Sequence, residues 1–324
     1  MPSIDSYRAA FLDHLASHST VKEPAGLYEP IQYILGLGGK RLRPVLTLMA
    51  ADLFGGDFNK ALGAATAIEV FHNFSLIHDD IMDDAPLRRG HQTVHEKWDV
   101  NTGILSGDAM LIQAYGYFED YPPELLKPLV ILFSKTAMEV CEGQQYDVDF
   151  ETRNDVTIPE YLKMIEFKTA VLVAAALKMG AMIAGAAEKD QELIYRFGIN
   201  LGVAFQLQDD YLDAFGNPET FGKQVGGDII ENKKTYLYLK AVELATAEDR
   251  EELERLFSTT PTEVEAKIEF AKSLFETSGS VSATQSAIQA YTDAAYAVLE
   301  EVSIPDSSKD VLRGFAASLM TRKV

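Results

Sequence analysis

One cysteine, Cys141, is all that the 324-residue chain contains, so no intrachain disulfide can form and a reducing compartment is the expectation. Long apolar runs are missing as well. The most apolar stretch, Ala170 to Ala187, is interrupted by Lys178 and falls short of the ~20 residues a membrane span needs, so it reads as a tightly packed core helix. The N-terminus carries Asp5, Arg8 and Asp13 where a signal peptide needs an apolar run, which points to the cytoplasm. Basic residues are scarce: 29 lysines and arginines face 49 aspartates and glutamates, a net charge of −20. Sequence-independent binding to nucleic acid or to an anionic membrane is thereby disfavoured. A polyanionic ligand would need local basic clusters or bound divalent cations.

Strand-like alternation is almost absent, whereas a period of 3.6 dominates in Leu42 to Phe54, Ala61 to Met82, Ile104 to Phe118, Tyr161 to Ala184 and Leu193 to Phe215. With 47% hydrophobic residues to bury, these patterns predict an all-α globular chain. Breaks fall at Gly38-Gly39, Gly55-Gly56, Pro122-Pro123, Pro159, Gly216 to Pro218 and Gly226-Gly227, and none is a linker. Pro44 sits where a helix can begin, since a first-turn proline forfeits no intrahelical hydrogen bond. No repeat or low-complexity tract is present, and residues 245 to 324 read as ordinary amphipathic helices.

Chemistry concentrates in two acidic clusters. The first is Asp79-Asp80-Ile-Met-Asp83-Asp84, preceded by Phe74-Ser-Leu-Ile77; the second is Asp209-Asp210-Tyr-Leu-Asp213, preceded by Val203 to Leu207. On a helix, positions four apart lie about 40° around and ~6 Å along, so Asp79 shares a face with Asp83, and Asp209 with Asp213. An acidic run is ordinarily a solvated face. Here the apolar surroundings make ionised carboxylates hard to keep without a counter-charge, and a hard divalent cation with oxygen ligands is the natural partner. Two copies, each inside a hydrophobic helix, suggest two helices facing one another across a shared cavity. That argues for one domain over residues 1–324, although ~150 residues per domain would suggest two.

Basic residues adjoin both clusters: Lys40, Arg41 and Arg43 after Gly38-Gly39, then Arg88-Arg89, Lys168 beside Thr169, and Lys223 with Lys233-Lys234. Each alone is a surface charge; beside the carboxylates they suit a joint clamp of metal and side chains on phosphate oxygens. Other templates fail. Gly216 to Lys223 is one residue too long for a P-loop and has Gln224 where Ser or Thr should ligate magnesium. His91 and His95 have i, i+4 spacing but no Glu follows His91, so they read as structural or supporting residues. His72, nearly two turns before Asp79, could reach a substrate phosphate, whereas His78 reads as a core group.

The set of motifs, in order and at these separations, resembles the trans-isoprenyl diphosphate synthases, the polyprenyl synthetase family. The resemblance is carried by Gly-Gly-Lys-x-x-Arg at 38 to 43, HNFSLIHDDIMDDAPLRRG at 72 to 90, Gly107-Asp108-Ala109, Gly143-Gln144-x-x-Asp147, Lys168-Thr169, FQLQDDYLD at 205 to 213 and GKQVGGD at 222 to 228. It implies an all-α barrel-like bundle, a homodimer, and the joining of isopentenyl diphosphate to an allylic diphosphate (C5, C10 or C15) with release of pyrophosphate. It further implies that Asp79, Asp83 and Asp209 hold three Mg²⁺ ions, with Mn²⁺ able to substitute, supported by Asp80, Asp84, Asp210 and Asp213. Arg88, Lys168, Lys223 and Lys233 match the allylic diphosphate clamp. Lys40, Arg43, His72 and Arg89 match the isopentenyl diphosphate site, and Thr169, Gln206 and Gln144 match polar groups near the allylic C1. Gly107-Asp108 fits loosely and receives no role.

Such chemistry needs these residue types. Ionising an allylic C–O bond makes a carbocation and a diphosphate, which metal, lysine and arginine stabilise in a cavity that excludes water. The double bond of isopentenyl diphosphate then attacks, and proton loss finishes the step with the departed pyrophosphate as base. A terpene cyclase is the nearest rival, but both Asp motifs and Lys40/Arg43 are intact; a non-catalytic regulatory subunit would usually lose an Asp motif, and a di-iron bundle lacks its Glu-x-x-His pairs. Helix geometry sets the product length. Phe74 lies ~7.5 Å along the helix from Asp79, where bulk floors the tunnel in this family. Ser75 stands where farnesyl-length members commonly add a second aromatic, and no insertion separates the aspartate pairs. Geranylgeranyl diphosphate (C20) is the expected product, with farnesyl diphosphate (C15) second.

Overall fold

The apolar periodicity seen in the sequence is realised as helices wherever it is long enough to bury a stripe. The computed structural model describes residues 2–18, 21–216, 225–258 and 264–320. Its helices are α1 (Ile4–His18), α2 (Ala25–Gly36), α3 (Leu42–Leu53), α4 (Leu62–Met82), α5 (Val94–Lys97), α6 (Val100–Gly116), α7 (Pro123–Thr152), α8 (Ile158–Ile165), α9 (Val171–Ile183) and α10 (Glu188–Phe215). Further helices at Gly227–Ile230, Tyr236–Leu244, Ala247–Leu256, Val264–Ser278, Ser280–Glu301 and Asp306–Met320 follow. Among the described residues the only sheet is a hairpin of two two-residue strands, β1 (Leu87–Arg88) and β2 (His91–Gln92). The all-α class expected from the sequence is borne out, and the hairpin is an element the periodicity did not announce. Pro44 lies in the first turn of α3 rather than at its first residue, still where its missing N–H costs nothing.

Two compact units make up the chain, Met1–Ala137 with Leu172–Tyr195, and Met138–Val171 with Arg196–Val324, and the three boundaries all fall inside helices. In the first unit α4 is the central rod, packed mainly on α6 and α3, with Ala64, Ala65, Ala67, Ile68, Val70 and Phe71 fully enclosed. Phe71, Phe118 and Tyr115 gather edge-on around Phe133 with ring centroids 4.9 to 5.4 Å apart, tying α4, α6 and α7 together. Within the Ala170–Ala187 stretch, read as a core helix, Val171–Ile183 forms the tightly packed α9 and the chain turns after it: Gly180 lets α9 lie so close to α3 that a methyl there would strike the Thr47 carbonyl. Gly107 does the same for α6, whose backbone meets the His78 ring of α4. In the second unit, Tyr161, Leu207, Leu237, Leu253 and Phe275 are among the core residues. No helix among the described residues is long and apolar enough to cross a membrane.

Candidate active site

The first acidic cluster sits where α4 runs out. Asp79 and Asp80 belong to its last turn, and the chain stays helical through Asp83, whose N–H donates to the Asp79 carbonyl at 2.9 Å, before turning left-handed at Asp84 (φ 48°). Asp79 and Asp83 therefore share a face, as the four-residue spacing requires. Asp80 points elsewhere: it is 1% exposed and accepts from Arg88, whose Nε lies 2.8 Å from both carboxylate oxygens and whose Nη2 lies 2.6 Å from Oδ1. Arg88 reaches it because Arg89 and Gly90, both at positive φ, close the tight hairpin that pairs Arg88 with His91.

The basic group collects in the same unit. Gly38 and Gly39 carry φ values of 79° and 119°, and a Cβ on Gly39 would lie 2.8 Å from the Arg89 guanidinium carbon. Only a glycine pair fits there, and Arg89 Nη1 donates to the Gly38 carbonyl. Arg43 Nη1 lies 3.1 Å from His72 Nε2. Burial, then Arg43 and the Arg89, Arg88 and Arg41 charges, hold the His72 imidazole well below its ordinary pKa, so it is neutral and accepts from Arg43. The charges of four arginines converge on one imidazole, and two of them, Arg88 and Arg41, are already paired with Asp80 and Glu69. Lys40 is exposed. Arg41, counted in the sequence with the basic residues of a phosphate clamp, is instead buried in an ion pair with Glu69 of α4 and donates to the Leu35 carbonyl, so it anchors the loop.

The second cluster lies on α10. Asp210 is buried, accepts from the Tyr161 hydroxyl, and accepts from Gln206 Nε2 at 2.9 Å; Gln206 Oε1 in turn accepts from Thr169 at 3.0 Å. Desolvation raises the Asp210 carboxyl to about 7 against the lowering effect of those donors, and the Asp209 and Asp213 charges push the same way as burial. Burial and the Asp210 and Asp213 charges likewise raise Asp228 well above the carboxylate range. Lys168 Nζ donates to Asp147 at 2.5 Å. Burial opposes the charge on Lys233, but Asp228 and Glu231, the latter at 2.8 Å, outweigh it. A small cavity of about 130 Å³ opens among Asp147, Lys168, Thr169, Asp210, Asp228 and Lys233. Asp213 accepts from the Asp228 N–H at 3.0 Å.

Lys168 and Thr169 stand on a π-helical turn, Glu166–Ala170, between α8 and α9. Such a turn is commonly found where a helix places functional groups. Opposite it, Gly143 of α7 lies so near that a Cβ would collide with the Lys168 backbone nitrogen. Gly143→Ala is expected to destabilise the protein by about 2–3 kcal/mol, since the colliding atoms are backbone and cannot rotate away. Activity should fall further than the melting temperature explains, because the same shift displaces Lys168. Full activity with an unchanged melting temperature would contradict the geometry.

The sequence singles out Asp79, Asp80, Asp83, Asp84, Asp209, Asp210 and Asp213 with their neighbouring cations, and the described ones lie at the end of α4 and on α10. Within the first unit the structure brings together Arg43, His72, Arg88 and Arg89, and within the second Lys168, Thr169, Gln206, Asp210 and Lys233. Gln144 is buried on α7. Lys223 lies outside the described residues. Tyr161, Asp147 and Asp228 border the same small cavity without having been singled out; the last two stood inside the quoted motifs, while Tyr161 had no signal at all. His78 is less enclosed than a core group, its Nε2 lying 3.3 Å from the Ile104 carbonyl. A larger cavity of about 850 Å³ in the first unit, bordered by Tyr28, Leu35, Leu62, Tyr117 and Ile183, holds none of the cluster carboxylates.

Residues 24–274 match a family model described as polyprenyl synthetase. The geranylfarnesyl diphosphate synthase of Natronomonas pharaonis is 41% identical over 279 residues, covering 81% of this chain and 80% of that protein. A crystal structure of a geranylgeranyl pyrophosphate synthase is 59% identical, covers 100% of both chains and superposes with a TM-score of 0.96. Another, the geranylgeranyl pyrophosphate synthase of Corynebacterium glutamicum complexed with isoprenyl diphosphate and magnesium, is 27% identical, covers 98% of both chains and has a TM-score of 0.87.

Proposed function

The chain belongs to the polyprenyl synthetase family, and from that premise we infer that it is a short-chain trans-prenyltransferase that condenses isopentenyl diphosphate with an allylic diphosphate to give geranylgeranyl diphosphate. The observation that carries the reading is the repetition, once in each unit, of a helical Asp-Asp-x-x-Asp cluster with arginine or lysine beside it. Both clusters serve one reaction, so residues 1–324 act as a single catalytic domain.

The donor set fits magnesium: oxygens only, with Asp210 raised to about 7 by burial and by the neighbouring Asp209 and Asp213 charges. Asp79, Asp83 and Asp209 would hold three Mg²⁺, with Asp80, Asp84, Asp210 and Asp213 supporting and Mn²⁺ able to replace it. Bound there, the ions draw negative charge from the leaving diphosphate. The chain does the rest. Arg88, Lys168, Lys223 and Lys233 hold diphosphate oxygens and carry part of the charge that develops as the allylic C–O bond breaks. Thr169 and Gln206, already bonded to one another, present oxygen dipoles towards the allylic carbon. Lys40, Arg43, His72 and Arg89 hold the diphosphate of isopentenyl diphosphate, and the neutral His72 can donate through Nδ1. Apolar walls keep water from the carbocation until the double bond attacks and a proton leaves to pyrophosphate.

Chain length is set on α4. Phe74 is buried with its ring 4.8 Å from His78 and 5.5 Å from Phe71, one and a half turns below Asp79. Further down the same helix, at Leu62, lies the 850 Å³ cavity. Phe74 therefore stands between the carboxylates and free volume. Phe74→Ala is expected to lengthen the products by one or more isoprene units, and Ser75→Phe to shorten them towards farnesyl. The test is incubation with isopentenyl diphosphate and each of the C5, C10 and C15 primers, with chromatography of the dephosphorylated alcohols. An unchanged distribution in both variants would place the floor elsewhere, and no condensation with any primer would end the functional reading.

A second copy of the chain is the proposed partner, with the cytoplasm the proposed compartment. Ile104, Leu105 and Ile112 of α6 and Ile131 of α7 are exposed, Ile112 to 70%, an apolar face that water does not favour.

A further inference from the structure

His95 is the buried polar residue that the reaction leaves unused. It is 8% exposed on the short helix α5, and among the described residues neither ring nitrogen has a hydrogen-bond partner. A buried polar group left unmet is costly, so such a histidine asks for a ligand. Its surroundings offer one. A ring nitrogen of His95 and carboxylate oxygens of Asp84 and Glu96 lie within 4.8 Å of one another. His95 Nε2 is 3.9 Å from Glu96 Oε1, too far for a hydrogen bond but within the span of at most about 4.0–4.4 Å that two ligands each about 2.0–2.2 Å from one metal ion can have, so a small side-chain rotation closes the site.

We propose that Asp84, His95 and Glu96 form a site for a divalent transition-metal ion of the zinc or cobalt class, distinct from the magnesium of the diphosphate site. Imidazole nitrogen is what separates the two: magnesium prefers oxygens and water, whereas zinc and cobalt take imidazole and carboxylate together. Asp84 and Glu96 are exposed, so water completes the shell. Asp84, at the edge of the magnesium cluster, leaves the helical run of Asp79 and Asp83 through its left-handed backbone and brings a carboxylate oxygen to His95 and Glu96.

The position gives the ion work to do. Asp84 ends the first acidic cluster and His95 follows the hairpin, so the three ligands bracket the segment that carries Arg88 and Arg89. The Thr93 hydroxyl already bonds the Ala85 carbonyl at 2.7 Å, and the Thr93 N–H bonds the Pro86 carbonyl at 3.2 Å, holding the two ends of the segment together. A metal ion across Asp84 and His95 staples the same ends more firmly and steadies both arginines.

The test is calorimetric and spectroscopic titration of the EDTA-dialysed full chain with Co²⁺ in millimolar Mg²⁺. One Co²⁺ per chain that magnesium does not displace is expected, with a visible absorption band diagnostic of nitrogen ligation. His95→Asn and Glu96→Gln should each weaken this binding by about tenfold or more, while Asp209→Asn retains it. Co²⁺ binding that magnesium displaces entirely, or that His95→Asn leaves unchanged, overturns the site. Should His95→Asn fail to fold by circular dichroism, the exposed Glu96→Gln decides, and unchanged affinity there is equally fatal. Condensation activity enters neither readout, so failure here leaves the prenyltransferase reading standing.

Discussion

Asp79→Ala and Asp209→Ala are each expected to lower turnover by about a thousandfold or more at saturating substrate, with the fold intact. The size follows from the chemistry: losing one pre-organised electrostatic contact to a developing oxyanion costs about 10²–10³ in rate, and these carboxylates hold the cations that make several such contacts. Fold stability should hold or rise, because each change removes one like charge from a helical cluster. Asp80→Ala separates the two effects. Asp80 is enclosed and bonded to Arg88, so its loss should also destabilise the protein, by up to about 3 kcal/mol since Arg88 keeps some solvent. Turnover is measured beside thermal unfolding for all three, together with the wild type in EDTA. Wild-type turnover that persists in EDTA would remove the metal from the mechanism.

Lys168→Ala and Arg43→Ala are expected to damage different halves of the reaction. Lys168 is held by Asp147 at 2.5 Å on a turn fixed by the backbone of α7, so its ammonium is already positioned before substrate arrives. Removing it should lower kcat by about a hundredfold, the loss of an interaction made mainly in the transition state. Arg43 sits against His72, among the arginines assigned to the second substrate. Its removal should raise the KM for isopentenyl diphosphate by about tenfold with a much smaller change in kcat. The check is full kinetics with each substrate varied in turn, and equal effects of both variants on both substrates would contradict the division.

The long helices were legible because their chemistry repeats with the period of the element that carries it. α4 and α10 announce themselves through apolar stripes, and their aspartates through a four-residue spacing that only a helix makes meaningful. The hairpin escaped because two-residue strands are too short for any alternation to register, although Arg89-Gly90 is the turn it needs. Tyr161 escaped because its partner, Asp210, lies far along the chain, and nothing local distinguishes it from a core tyrosine. Arg41 illustrates the opposite error of charge counting. Among three basic residues in a row of four, it alone turns inward to Glu69, and only the left-handed backbone at Arg41 reveals that.

The π turn at Glu166–Ala170 spends one more residue than an α-helical turn would, which rotates everything beyond it by about 100° relative to an uninterrupted helix. A stretch that looks like one continuous rod is therefore addressed in two phases, one for α8 and another for α9. Length, not composition, is the constrained quantity here. A single-residue deletion within 166–170 would cost little in helix propensity and would heal into a regular helix, yet every side chain of α9 would then face the wrong neighbour. Substitutions in this segment can be judged one at a time; an insertion or a gap rewrites the whole helix after it.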